Sequence, residues 1–255
     1  MTAQGYAFDN TSTVAGEHHR ALTELLDAES QAHIEQLIDP AGRRCLEVAA
    51  GGGSIAAWLA GRGADVVATD IAPLPVPGLT IREHDIVTGE PLGPFDLVHA
   101  RLLLNHLPRR AEALRNMVAA LAPGGVLLTE DFIPGFGPFV LYAPDPAQTD
   151  VLTRYLTAHL DTLAAHGNDR YWGHQAPARF VAEGLTDVSL RAHGGSWHGG
   201  GPGARLLRAG IPQLRAGLLE RGLTEDDLVA ADAALSDPRV ILIGFLTLQT
   251  SGFRQ

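Results

Sequence analysis

The sequence contains no lysine: all 19 basic residues are arginine, against 29 acidic residues and a net charge of −10. Without lysine there is no Walker A nucleotide site, whose lysine reaches the phosphates, and no Schiff base to pyridoxal phosphate. Dehydrogenases that use a Tyr-x-x-x-Lys site are excluded for the same reason. Because phosphate neutralisation dominates nucleic-acid affinity, the acidic balance predicts no nucleic-acid partner.

Cysteine and long apolar runs are equally scarce. The single cysteine, Cys45, excludes an intrachain disulfide and a cysteine-based zinc site, and its apolar surroundings predict a buried, unreactive thiol. No stretch approaches the ~18 apolar residues of a membrane helix, and the N-terminus lacks the features of a signal peptide. We therefore expect a cytoplasmic protein with no membrane partner. The histidine spacings typical of metal sites are also missing, so we expect no metal.

Short apolar runs alternate with helical segments, and this alternation predicts an α/β fold. We expect a doubly wound sheet of seven strands, mostly parallel, with an antiparallel last strand. The pattern predicts one helix over residues 106–121 and one strand over residues 240–248. His159 and His166 are seven residues apart in a predicted helix, and we expect both on its solvated face.

Three consecutive glycines, Gly51 to Gly53, separate the first predicted strand from the next helix. Lacking Cβ atoms, they let a ligand approach the backbone, and the helix N-terminus offers unpaired N–H groups. Asp70 ends the second strand about 20 residues further on, the spacing expected of an acid that binds ribose hydroxyls. Glu47 lies inside the first strand, where it would repel a pyrophosphate and suit a cationic ligand. The alternatives are a ligand-free tight turn and a solvated Asp70.

This pattern resembles that of the class I S-adenosylmethionine-dependent methyltransferases. The family motif acid-x-Gly-x-Gly-x-Gly corresponds to residues 47–53, EVAAGGG, in which Ala49 replaces the first glycine at a point where we expect near-extended backbone. Residues 99–108, HARLLLNHLP, and residues 6–10, YAFDN, are similar to actinobacterial small-molecule methyltransferases. The resemblance covers residues 1–131 well. It implies a Rossmann-like fold, S-adenosylmethionine as the cofactor and a place in natural-product biosynthesis.

The resemblance also implies the residues of a cofactor site. Gly51 and Gly53 pass under the adenosyl group, Glu47 faces the methionine ammonium and Asp70 binds both ribose hydroxyls. Ala49 also belongs to this implied cofactor site. The other implied contacts are Ile71 on the adenine, Asp85 at the adenine amino group with Ile86 beside it, Ala100 and Arg101 at the methionine, and Tyr6 closing over the cofactor. We divide the single structural domain into an N-terminal helical segment (1–40), a cofactor-binding core (41–131), a lid insertion (132–184) and a C-terminal part of the sheet with inserted helices (185–255).

A hydroxyl acceptor must lose its proton during methylation, and histidine is the natural base near neutral pH. His106 follows the fourth strand on the cofactor side and is the catalytic candidate, with a structural, helix-capping role as the alternative. The predicted acceptor-lining residues are Glu130, Phe132, Tyr142, Trp172 and Trp197. The alternatives for these are a solvated strand end for Glu130 and the core of the lid for the aromatic residues.

We therefore expect a methyltransferase that modifies a small, largely apolar metabolite on oxygen, in secondary metabolism. Two alternatives stay open. A protein of this fold can use S-adenosylmethionine for cyclisation, rearrangement or hydroxylation, and a degenerate site can serve as a non-catalytic cofactor-binding module. The N-terminal helices are candidates for a lid or for the contact of a homodimer.

Overall fold

Helices and strands alternate through the first half of the chain, as the apolar runs predict. The computed structural model describes residues 15–135 and 137–255. The helices are α1 (Ala15–Leu37), α2 (Ser54–Gly61), α3 (Arg110–Ala119), α4 (Pro146–Ala165), α5 (Trp172–Ala182), α6 (Pro202–Glu220) and α7 (Glu225–Ser236). The strands are β1 (Arg44–Val48), β2 (Asp65–Asp70), β3 (Ile81–Glu83), β4 (Phe95–Arg101), β5 (Leu121–Ile133), β6 (Val140–Tyr142), β7 (Thr186–His193), β8 (Ser196–His198), β9 (Ile241–Ile243) and β10 (Leu246–Phe253). None of the helices described is long and apolar enough to cross a membrane.

Seven strands form the main sheet, in the order β3-β2-β1-β4-β5-β10-β7. The strands from β3 to β5 run parallel, and β10 runs antiparallel to both β5 and β7. The inner strands are continuous apolar runs because helices cover both faces of the sheet. The predicted doubly wound, Rossmann-like sheet with an antiparallel last strand is confirmed.

Successive residues of β1 show how the sheet separates two cores. Cys45 packs with α1 and α2 on one face, whereas Leu46 packs with α3 and α5 on the other. Helix α5, which lies in the predicted lid insertion, thus covers the main sheet through Phe180. Burial raises the pKa of the Cys45 thiol to about 12, as expected for an unreactive side chain.

A third core joins α4, α6 and α7 to a small sheet with the order β6-β9-β8. The single strand predicted over residues 240–248 is wrong, because the chain leaves this small sheet at Gly244 and enters the main sheet as β10. A side chain at Gly244 would collide with the ring of Trp197 on β8. Glycine therefore lets the chain pass from one sheet to the other.

The helix predicted over residues 106–121 is present as α3, Arg110–Ala119, but both of its predicted ends are wrong. A short 3-10 turn, Leu104–His106, is followed by extended backbone at Leu107, with φ −87° and ψ 124°. Pro108 imposes this geometry, because a residue before proline is disfavoured in the helical region. Helix α3 consequently starts at Arg110, and Leu121 already belongs to β5, where it pairs with Phe95.

The backbone at Ala49 differs from the near-extended conformation expected. Its φ is +56°, in the left-handed region that favours glycine. Such a conformation costs a residue with a side chain about 1–2 kcal/mol. The replacement of the family's first glycine by Ala49 therefore leaves local strain at the end of β1.

Candidate active site

A cavity of about 530 Å³ opens at the carboxyl ends of the parallel strands. Ligands bind at this edge in doubly wound folds, and the volume is typical of a small-molecule site. The cavity is bounded by α1, the glycine turn, the ends of β2 and β4 and the segments after β3 and β4. Eight of the predicted site residues line it, namely Glu47, Ala49, Gly51, Asp70, Ile71, Asp85, Arg101 and His106.

Asp70 is held in place by the glycine turn. Its Oδ2 accepts a hydrogen bond from the Gly51 N–H at 2.9 Å, and its Oδ1 accepts one from the Ala72 N–H at 2.9 Å. Each carboxylate oxygen can accept a second hydrogen bond. Asp70 can therefore accept two more donors from a ligand, as the two neighbouring hydroxyls of a ribose require.

Helix α1 covers the glycine turn. A Cβ atom at Gly52 would lie 3.3 Å from the Cβ of His19, and one at Gly51 would lie 3.7 Å from its Nε2. The α1 residues His18, Leu22 and Thr23 also line the cavity. The N-terminal helix is thus a wall of the site.

Glu47 reaches the cavity from β1 and is tied to a buried charge network. The Nδ1 of His99 lies 2.6 Å from Glu47 Oε2, and its Nε2 lies 2.9 Å from Glu130 Oε1. Because both ring nitrogens face carboxylates, both carry protons. Burial opposes this charge, but the Glu47 and Glu130 carboxylates outweigh it and raise the pKa of His99 to about 9.

The network keeps negative charge at the cavity. Burial disfavours the Glu130 carboxylate, but its hydrogen bond with His99 prevails and lowers the pKa of Glu130 to about 2. Two carboxylates therefore flank one imidazolium. The excess negative charge, with Glu47 on the cavity wall, suits a ligand cation such as the ammonium of a methionine group.

Arg101 ties three elements together at the same edge. It ends β4 and forms an ion pair with Asp27 of α1 at 2.9 Å. Its guanidinium also donates to Ser30 of α1 at 3.1 Å and to Ser54, the first residue of α2, at 3.4 Å. These bonds fix α1 against the cavity.

Asp85 lines the cavity from the turn after β3. Its Oδ1 accepts from the Val87 N–H at 2.8 Å, and its Oδ2 accepts from the Thr88 hydroxyl at 2.6 Å. Burial opposes ionisation, but these hydrogen bonds lower the pKa of Asp85 below its ordinary value. A charged acceptor with unused lone pairs is therefore available at this wall.

Three predicted cofactor residues lie behind the cavity wall. A Cβ atom at Gly53 would lie 2.9 Å from the Leu79 side chain, so the loop leaves no room for a larger residue. Ile86 and Ala100 are buried in the core shared with α3 and α5. Tyr6, the remaining predicted cofactor residue, lies outside the described residues.

A smaller cavity of about 80 Å³ adjoins the first. The two share His18, Leu22, Leu102 and His106. Leu102 has φ +53°, an unusual conformation for a bulky residue, and its N–H donates to the Glu130 carbonyl oxygen at 2.7 Å. Strained backbone of this kind clusters at functional sites, and here it lies at the junction of the two cavities.

The smaller cavity is mostly apolar. Ten of its lining residues are Leu22, Leu102, Phe132, Ile133, Pro134, Leu160, Leu163, Leu206, Leu207 and Phe245, and the polar ones are His18, Asn105, His106, His159, Asn168 and Arg170. Arg170 forms an ion pair with Asp161 at 2.6 Å. The wall thus favours an uncharged, apolar ligand.

Of the predicted acceptor-lining residues, Phe132 lies on this wall and the other four do not. Glu130 is buried against His99, and Trp172 is buried in the core beneath the main sheet. Trp197 packs against Phe245, with ring centroids 5.3 Å apart. Tyr142 is 54% exposed on β6.

His106 lies at the junction of the cavities, in the 3-10 turn. Its Nδ1 accepts a hydrogen bond from the Asn168 amide at 3.2 Å. Burial lowers the pKa of His106 to about 4, and the nearby His18 and Arg110 act in the same direction. The ring is therefore neutral at physiological pH.

His159 is the residue that sequence reasoning misplaced. It was expected on the solvated face of its helix, but it is buried and lines the smaller cavity, whereas His166 is exposed. His159 lies within α4 and packs against Gly210 of α6, whereas His166 is the C-cap that follows the helix. His18, Leu22 and Leu102 were also missed, since no motif marks them.

Family and sequence comparisons agree with this geometry. A family model described as a methyltransferase domain matches residues 16–181. Methyltransferase str2 of Strobilurus tenacellus is 32% identical over 158 residues, which cover 58% of this chain and 56% of that protein. A ubiquinone biosynthesis O-methyltransferase of Xanthomonas axonopodis pv. citri is 32% identical over 110 residues, 37% of this chain and 45% of that protein. The matches span about half the length of these relatives.

A solved structure extends the comparison to the fold. The phosphoethanolamine N-methyltransferase 2 of Haemonchus contortus, in complex with phosphomonomethylethanolamine and S-adenosylhomocysteine, has a TM-score of 0.56 at 14% identity, over 95% of this chain and 57% of that chain. At that identity the likeness shows the fold alone. The acceptors at the larger cavity fit the cofactor, because Asp70 can accept hydrogen bonds from a diol and Glu47 offers negative charge to an ammonium. With its family model spanning well over half of the chain, the protein belongs to the S-adenosylmethionine-dependent methyltransferases.

Proposed function

We propose that this methyltransferase methylates a hydroxyl oxygen of a small, largely apolar acceptor, in secondary metabolism. The observation that carries the proposal is the smaller cavity, which adjoins the cofactor cavity and shares four residues with it. An uncharged acceptor suits a wall of leucine and phenylalanine side chains with neutral imidazoles. The name of the ubiquinone biosynthesis O-methyltransferase, which is similar over part of the chain, supports oxygen as the methylated atom.

In this proposal the larger cavity holds the cofactor. Asp70 accepts the two ribose hydroxyls, Glu47 faces the ammonium, and Asp85 accepts from the adenine amino group. When bound, S-adenosylmethionine supplies a methyl group activated by its sulfonium charge. The chain's own residues then have to bring the acceptor oxygen into line, and positioning of this kind lowers a barrier by about 7–11 kcal/mol.

The smaller cavity positions the acceptor. Leu102 lies at the junction of the two cavities, and its N–H donates a hydrogen bond to the Glu130 carbonyl oxygen. Phe132 and Phe245 are packed with ring centroids 5.5 Å apart and present an aromatic surface to a flat ligand. Helix α1 forms part of the wall of both cavities, since His18 and Leu22 line both.

Product mass tests the proposal. The enzyme is incubated with S-adenosylmethionine and with matched phenols, anilines and benzoic acids that have the same ring substituents. Transfer to the phenols, seen as the mass of one added CH₂ unit and as S-adenosylhomocysteine, is the expected result. Transfer to the anilines alone would contradict oxygen as the target. A product of unchanged mass would favour cyclisation or rearrangement.

A further inference from the structure

His159 is built into the wall of the smaller cavity by its neighbours. It lies on α4, is 5% exposed, and packs against α6, where a Cβ atom at Gly210 would lie 3.0 Å from its Cε1. Its Nδ1 lies 3.2 Å from the hydroxyl of Tyr155, one turn earlier on the same helix. The ring is thus held on one side by Tyr155 and by the close approach of Gly210.

The Tyr155 hydroxyl determines which nitrogen of His159 carries the proton. That hydroxyl has one proton, and it donates it to the carbonyl oxygen of Leu207 at 2.7 Å. In the contact with His159 the hydroxyl oxygen therefore accepts, and Nδ1 donates. A neutral imidazole protonated on Nδ1 has a lone pair on Nε2.

The His159 ring is neutral in this environment. Burial lowers the pKa of His159 to about 4, and His18 and His106 reinforce the effect. Among the described residues, none hydrogen-bonds to its Nε2. The side of the ring opposite Tyr155 is therefore available to accept a hydrogen bond from a ligand in the smaller cavity.

His106 has the opposite arrangement. The Asn168 amide nitrogen donates to its Nδ1, so in the neutral ring the proton is on Nε2. These two rings, which line the same cavity, thus carry their protons on different nitrogens, His106 on Nε2 and His159 on Nδ1. A ligand hydroxyl can donate to the lone pair on His159 Nε2.

We propose that His159 takes the hydroxyl proton of the acceptor through Nε2 and that Tyr155 is the residue that positions it. The proposal rests on O-methylation as the function. The acceptor's O–H bond breaks and its proton passes to Nε2, while an oxygen electron pair forms the bond to the methyl carbon. The pair of the broken carbon–sulfur bond stays on sulfur, and the imidazolium later releases its proton to water.

The acceptor class follows from the rest of the wall. The described lining residues include no carboxylate, and the cation, Arg170, is paired with Asp161. No group of three or more histidine, cysteine, aspartate or glutamate side chains among the described residues is arranged to hold a metal ion. An uncharged hydroxyaromatic compound suits these surroundings.

The test compares His159→Asn with His166→Asn, the same substitution at the exposed C-cap of α4, which lines neither cavity. The side-chain amide of Asn can keep the donor near the place of Nδ1 but has no group in the place of Nε2. We expect His159→Asn to bind S-adenosylhomocysteine as the wild type does, and to transfer methyl to the best phenol about 10²–10⁴-fold more slowly. The His166→Asn variant should keep the wild-type rate. His159→Gln restores a hydrogen-bonding group near the place of Nε2 but supplies no base. It should therefore have the wild-type KM for the phenol but not the wild-type kcat.

Nitrogen NMR of the histidine rings gives a readout independent of turnover. In the complex with S-adenosylhomocysteine, His159 should show a proton on Nδ1 and a bare Nε2, and para-nitrophenol should shift the Nε2 signal. Tyr155→Phe should change the proton's position without abolishing cofactor binding. A proton on Nε2 of the wild-type ring, or a fully active His159→Asn enzyme, would overturn the proposal. An enzyme that methylates no hydroxyl would instead refute the proposed function, whatever the state of the ring.

Discussion

The two cavities differ in charge, and the difference separates cofactor binding from acceptor recognition. The larger one is lined by Glu47, Asp70 and Asp85, each of which is held by hydrogen bonds to the chain around it. The smaller one is apolar, and its three histidines have pKa values lowered to about 4 by burial. Fixed charges at the strand ends suit a zwitterionic cofactor whose identity does not vary. An apolar wall with neutral donors and acceptors suits a ligand whose identity varies between enzymes.

The largest effect should come from removing the charge at the larger cavity. In Asp70→Ala, two hydrogen bonds to an ionised group are lost, each worth roughly 1.5–3 kcal/mol, so cofactor affinity should fall by about 100-fold or more. Titration calorimetry with S-adenosylhomocysteine measures the loss. Asp65→Ala, at the exposed start of the same strand, is the matched control. Equal affinities of the two variants would remove Asp70 from the site.

The buried network should make stability depend on pH. The pKa of His99 is raised from 6.5 to about 9, so its stabilising charge is fully present below about pH 6.5 and is lost as the pH rises through about 9. The free energy of unfolding should fall by roughly 3 kcal/mol over that window. Urea unfolding at a series of pH values measures the fall, and it should be absent in His99→Gln.

A second buried group, Asp131, does not alter the comparison between the wild type and His99→Gln. Burial raises the pKa of Asp131 to about 7, so most of its effect on stability lies below the His99 window, and all of it is common to both proteins. A wild-type curve as flat as that of His99→Gln would show that the ring is not charged in the folded state.

Phe132→Ala should affect the acceptor and not the cofactor. Removing this ring from the smaller cavity should cost about 1–3 kcal/mol in the transition state and lower kcat/KM for a phenol roughly tenfold or more. Affinity for S-adenosylhomocysteine should stay unchanged. Tyr142→Ala provides the contrast, because Tyr142 was also predicted to line the acceptor site but is exposed on β6. Equal losses in the two variants would contradict the assignment of the smaller cavity.

The smallest effect concerns the strain at the edge of the larger cavity. Ala49→Gly relieves about 1–2 kcal/mol of left-handed strain but gives the unfolded chain more freedom, worth about 0.4–1 kcal/mol. We expect a small net stabilisation, seen as a slightly higher Tm, with cofactor affinity unchanged. A lower Tm would mean that the methyl group of Ala49 makes packing contacts that outweigh the strain.

The contrast between the two cavities also explains which of them the sequence could predict. Glu47, Gly51 and Asp70 lie at or just beyond the carboxyl ends of β1 and β2, and parallel strands bring these ends together. Spacing alone was therefore enough to place them at one cavity. The strand ends are also local features, so the mostly parallel sheet could be predicted from apolar runs and turns.

The smaller cavity could not be predicted in this way. His18, His106 and His159 come from α1, a 3-10 turn and α4, and only tertiary packing brings them to one wall. The helical periodicity of the sequence and the polarity of the side chains could not distinguish the buried His159 from the exposed His166. Trp172 and Trp197 were expected at the acceptor because aromatic residues suit both ligands and cores, and the structure places both in cores.

Titration calorimetry of the wild-type protein with S-adenosylmethionine and, separately, with S-adenosylhomocysteine tests the central claim most directly. A cavity that offers Asp70 to the ribose and Glu47 to the ammonium should bind both ligands with micromolar dissociation constants, about −8 kcal/mol. Neither contact involves the transferred methyl group, so the two affinities should be similar. Absence of binding for both would contradict the assignment of the larger cavity.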